Sequence, residues 1–82
     1  MSADGTLGVT ARFLLAYSEL LEIGGTTRTK FCREVGADRR NFEKLLANPA
    51  RHLLRPEWLG GLVLAYGINA DWLLTGRGLM LG

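Results

Sequence analysis

Apolar residues recur at three- and four-residue steps along most of the chain, and the breaks between these runs fall at glycine, threonine, asparagine and proline. Val9, Phe13, Ala16, Tyr17, Leu20 and Leu21 form the first run, which predicts a core helix from about Val9 to Glu22, ended by Gly24-Gly25. Thr26 or Thr27 can cap a second helix over about Arg28 to Val35, and Asp38 can cap a third that ends near Ala47, before Asn48-Pro49. Pro56 suits the first turn of a fourth helix running through Tyr66, with Trp58, Leu59, Leu62, Val63 and Tyr66 on its apolar face. Gly67 ends it. Asn69 then caps a short fifth helix, Ala70 to Thr75, which carries Trp72 and Leu73 inward and stops at Gly76-Arg77-Gly78. No alternating apolar run of useful length predicts a strand, so the expected fold is all-α, five helices joined by connections of a few residues. The expected division is an N-terminal arm over 1–8, the helical domain over 9–78 and an apolar tail over 79–82. Gly60-Gly61 costs a helix about 1 kcal/mol per residue relative to alanine, which predicts a second helix backbone passing close by.

The segment RTKFCREVGADRRNFEKLLA, Arg28 to Ala47, is the most specific part of the pattern. Phe31 and Val35 lie four apart, Phe42 and Leu45 three apart, so each helix carries a narrow apolar stripe toward one core. Cys32 is small enough for the close approach of the two helices. Gly36 meets the need for a left-handed residue after the first of them, and Asp38 accepts amide hydrogens at the start of the next. This is a helix-turn-helix signal.

Charge is concentrated on the same segment. The whole chain of 82 residues carries a net +2, but residues 28 to 55 hold eight basic side chains against three acidic ones, a local +5. Arg28, Lys30, Arg33, Arg39, Arg40, Lys44, Arg51 and Arg55 are the cations. A solvated surface would explain any one of them; their concentration favours a phosphate-facing surface. A chain of this length buries roughly 60 to 65% of its unfolded surface, which leaves little room for a catalytic cleft. No apolar run exceeds five residues and the opening MSADG is not a secretory leader, so the expectation is a cytoplasmic protein with no membrane span. One cysteine and one histidine make no disulfide framework and no zinc set, and neither cofactor nor metal is expected. Cys32 reads as a buried small hydrophobe, Trp58 and Trp72 as core. No nucleophile with its base and no phosphate loop is present, so no enzymatic activity is expected.

Two stretches, RTKFCREVGADRRNFEKLL and AYGINADWLLTGRGLM, resemble the phage repressor and Cro type of helix-turn-helix regulator, an XRE-like family. In that family the segment after the fourth helix reads Tyr-Gly, an Asn-led helix start, Trp-Leu-Leu-Thr-Gly, a variable residue and Gly, as Tyr66 to Gly78 does here. Together the motifs span about residues 9 to 80. The resemblance implies a lambda-repressor-like domain whose helix-turn-helix is formed by the second and third helices. There are departures. Arg28 stands where a Gln is common, the links before the second and fourth helices are longer, and Leu46, where an acidic residue is often found, is expected to join the core.

With Phe42 and Leu45 inward, a turn of 100° per residue puts Arg40 and Lys44 on the opposite face of the third helix, with Arg39 and Glu43 at one edge. Family positions carried onto this chain imply base contacts by Arg39, Arg40 and Lys44 and a phosphate contact by Arg28. Glu43 would accept from cytosine or repel misplaced phosphates. Lys30 belongs with Arg28 among the phosphate-facing cations. Arg51, His52 and Arg55 lie where this fold often touches the DNA backbone and where a solvent loop is equally common. The expected function is therefore a sequence-specific, double-stranded DNA-binding transcriptional regulator, with repression the expected mode. It is expected to act as a homodimer on a palindromic operator, because one small domain spans too few base pairs to be selective alone. The alternative is a protein-interaction module of the same fold, such as an antitoxin or an adaptor. Leu79, Met80 and Leu81 could serve a subunit contact, begin a further region, or pack on the domain's own core.

Overall fold

The computed structural model describes residues 8–52 and 54–81, so residues 1–7 of the expected arm and Gly82 of the tail lie outside it. Within the described residues five helices follow one another: α1 (Val9–Glu22), α2 (Arg28–Val35), α3 (Arg39–Ala47), α4 (Pro56–Tyr66) and α5 (Ala70–Thr75). Their bounds coincide with those predicted because the stop and start residues act locally. Thr27 Oγ1 accepts from the Lys30 amide, Asp38 Oδ2 from the Asn41 amide and Asn69 Oδ1 from the Asp71 amide. Thr27, not Thr26, is the α2 cap. Thr26 is buried instead, its hydroxyl 2.9 Å from the Tyr66 hydroxyl.

The core is an aromatic cluster shared by four helices. Phe31 lies at its centre, with ring centroids 5.8 Å from Phe13, 4.7 Å from Tyr17, 5.5 Å from Phe42 and 5.6 Å from Tyr66. Phe42 also meets Tyr17 edge-on at 4.9 Å and Trp58 at 6.2 Å. Edge-to-face pairs of this kind add directional preference to apolar burial. They fix α3 by rotation as well as position, since Phe42 can enter the cluster from one face of its helix only. Ala16, Leu20, Cys32, Val35, Leu45, Leu62, Ile68, Trp72 and Leu73 complete the buried apolar set, and Leu46 is half-buried against it.

Two tight features set the helices relative to one another. Gly36 ends α2 with φ 78°, and the next amide, Ala37 N–H, reaches the Cys32 carbonyl at 2.8 Å, so the chain turns into α3 within three residues. Gly61 lies under the last residue of α2: a Cβ built there would fall 2.6 Å from the Val35 Cα. The close backbone approach expected of the glycine pair is thus made by Gly61. A Cβ on Gly60 would meet open space.

Arg12 is a buried residue that periodicity did not single out, only 4% exposed in α1. Its Nε donates to the Leu73 carbonyl at 2.8 Å and its Nη2 to the Leu74 carbonyl at 3.1 Å. The last turn of α5 is thereby closed by a cation from α1. The tail folds back on the α4–α5 link, where Asn69 N–H donates to the Met80 carbonyl at 2.7 Å and Ile68 pairs with Leu81 in an isolated antiparallel bridge. Met80 packs against the core, whereas Leu79 and Leu81 stay exposed. Among the described residues no helix is long and apolar enough to cross a membrane.

Candidate nucleic-acid interface

Because Phe42 and Leu45 are fully buried, the outer face of α3 is defined: Arg40 and Lys44 lie along its middle and are exposed. Neither side chain makes a hydrogen bond or ion pair among the described residues, so both terminal groups are available. The two edges of this face differ.

Along the edge toward α2, one carboxylate oxygen gathers two guanidinium groups. Glu43 Oε2 accepts from Arg39 Nε at 3.2 Å and from Arg28 Nη1 at 3.4 Å. Arg39 Nη1 also donates to Thr29 Oγ1 at 3.0 Å, and Arg28 Nε to the Tyr17 hydroxyl at 3.3 Å. Arg39 sits in the first turn of α3, where the helix dipole disfavours a cation, and Glu43 offsets that cost four residues on. The Tyr17 hydroxyl and then Glu43 hold the Arg28 guanidinium above its ordinary pKa. The side chains of Arg28, Arg39 and Glu43 remain 47%, 56% and 44% exposed, so these contacts orient groups that still face solvent.

On the other edge, Asn41 of α3 joins Arg51, His52, Leu54, Arg55 and Pro56 around a cleft of about 490 Å³. Arg51 and Arg55 are thus carried to the α3 surface by the link into α4. Lys30 is exposed on α2, with only its backbone amide engaged by the Thr27 cap. The structure therefore brings Arg28, Arg39 and Glu43 into one network and Arg51 with Arg55 into a second group, with Arg40 and Lys44 between. Thr29 and Tyr17 were not among the residues singled out for the site. Tyr17 was legible as core, but a hydroxyl at the end of an apolar ring gives no sign of which distant arginine it will meet.

Cys32 lies under this surface. Burial is the main cause that pushes its thiol above the ordinary value of 9.0, outweighing the nearby arginines. An acid whose folded pKa is raised keeps its proton longer when folded, so it withdraws stability as pH rises past that ordinary value. Alkylation at pH 8 should accordingly be strongly suppressed relative to the urea-unfolded chain. Equal labelling rates in the two states would contradict the burial.

Searches against protein-family models, curated proteins and solved structures found no match for this chain.

Proposed function

We propose that this chain is a sequence-specific double-stranded DNA-binding domain of the helix-turn-helix class, with α2 and α3 as the motif, acting as a transcriptional regulator of repressor type. The observation that most supports this reading is the outer face of α3. Two cations without intramolecular partners stand at its centre, and fixed or clustered arginines line both edges. An exposed helix of nine residues can enter a major groove about 12 Å wide, where arginine and lysine donate to guanine O6 and N7. Arg40 and Lys44 take the base edges in this arrangement, joined by Arg39 from the edge. Arg28, Lys30, Arg51 and Arg55 meet the phosphates on either side. Two copies on a palindromic operator supply the selectivity that one α3 lacks.

Salt dependence and base preference test the assignment of roles. Four phosphate contacts give a log–log slope of affinity against salt of about −3 to −4 per protomer. Arg40→Ala is expected to cost about 1 to 3 kcal/mol on the preferred site and to flatten the preference at one base pair. An equal loss on all sequences would make Arg40 a phosphate contact. A partner that binds with little dependence on salt, together with no affinity for duplex, would favour the protein-interaction module.

A further inference from the structure

Glu43 carries the only negative charge on the face of α3 that the proposed function turns toward DNA, and it does not stand free there as a base-reading carboxylate would. Its Oε2 lies within 3.4 Å of guanidinium nitrogens from two different helices. Those two arginines are each held a second time, Arg39 by Thr29 and Arg28 by Tyr17. The chain Tyr17, Arg28, Glu43, Arg39, Thr29 thus runs from α1 through α2 to α3 and back to α2, and Glu43 is its middle link.

Resting on the DNA-binding reading, we infer that Glu43 is a positioning residue that sets specificity: it fixes the aim of Arg28 and Arg39 and withholds part of their charge from phosphates in general. An arginine on a flexible stem meets any phosphate within reach, which adds affinity without information. A guanidinium already bonded to a carboxylate on one side offers its remaining N–H groups in one direction only. Random-sequence DNA must then compete with Glu43 for both arginines. A duplex that places acceptors where the held N–H groups point does not have to break the bridge. Discrimination arises from the difference.

The test compares the full chain with Glu43→Gln, which removes the charge at equal size, and Glu43→Asp, which keeps the charge but is one methylene too short to span both arginines. Binding is measured by fluorescence anisotropy over a series of KCl concentrations, on a random-sequence duplex and on the duplex most enriched by the unaltered chain. Glu43→Gln should bind the random duplex about three- to tenfold tighter at low salt, steepen the salt slope by about one unit and lower the preference for the enriched site. Glu43→Asp should keep the original slope while losing preference. Both variants should melt within a few degrees of the original, since the pairs are half-exposed. In the DNA-free protein, the Arg39 Nε–H resonance should move in Glu43→Gln. An unmoved resonance, or an unchanged slope and random-duplex affinity with preference lost at one C·G pair, would overturn the inference and make Glu43 a base contact. If the unaltered chain binds no duplex at low salt, the DNA-binding reading fails first, and that result is read before either variant is made.

Discussion

Gly61→Ala is expected to remove about 3 kcal/mol of folding stability, whereas Gly60→Ala, one residue earlier on the same helix, is expected to add about 0.5 to 1 kcal/mol. The two substitutions gain the same helix propensity, so the difference between them isolates the packing. At Gly60 an added methyl group enters open space. At Gly61 it runs into the Val35 main chain, with the Cα at 2.6 Å and the carbonyl carbon at 2.8 Å, where ordinary contact begins near 3.4 Å. A side chain could swing aside, but backbone cannot without moving its helix. Val35 is also the last residue of α2, followed directly by the left-handed Gly36 that turns the chain into α3. Pushing α2 off α4 therefore disturbs the turn and the Arg28–Glu43–Arg39 network together. Urea denaturation of the two single variants checks the prediction. Destabilisation of similar size at both positions would show that the α2–α4 spacing does not depend on Gly61.

Arg12→Ala is expected to cost about 3 kcal/mol, and in a domain of this size to lower Tm by more than about 10 °C. The last carbonyls of a helix have no partner within it, and in α5, six residues long, they form a large share of the element. Gly76 N–H satisfies Trp72, and Arg12 satisfies Leu73 and Leu74 from the neighbouring helix. Its charge also complements the negative end of the α5 dipole. Truncation leaves a buried carbonyl unmatched and a cavity where the guanidinium stood. Arg12→Lys should recover only part of the loss, because a single ammonium does not reproduce the planar fork that reaches both carbonyls. Thermal melts of the two variants decide it. An Arg12→Ala melt within about 2 °C of the original would mean that the α5 terminus finds other partners.

Local signals explain why the helix boundaries were legible. Thr27, Asp38 and Asn69 act on amides two or three residues away, and Gly36, Gly67 and Gly76 each adopt positive φ at the helix end they were read as closing. The core was legible where large apolar residues fell at helical spacing, as for Phe13, Phe31, Phe42, Trp58 and Trp72. Leu21 shows the limit of that signal: it falls in the apolar run of α1 yet is 39% exposed, since its neighbour Leu20 takes the inward position, whereas Leu64, left off the apolar face of α4, is exposed. Arg12 lies three residues after Val9 and four before Ala16, on the apolar stripe itself. The position is compatible with burial, but an arginine is ordinarily read as surface, so the apolar pattern passes over it. The outer face of α3 followed from Phe42 and Leu45 alone. The bridge at Glu43 did not, since Arg39 is four residues away but Arg28 is on another helix and only the packing of α2 against α3 brings it near.

The central claim is that the outer face of α3 reads duplex DNA, and selection from a random-sequence duplex pool tests it most directly. The chain and its Arg39→Ala, Arg40→Ala double variant are carried through the same selection at two salt concentrations. The account predicts an enriched palindrome with the original chain, weaker recovery at the higher salt, and no enrichment with a double variant that melts normally. No binding by the original chain even at low salt, or the same palindrome recovered by the double variant, would contradict it.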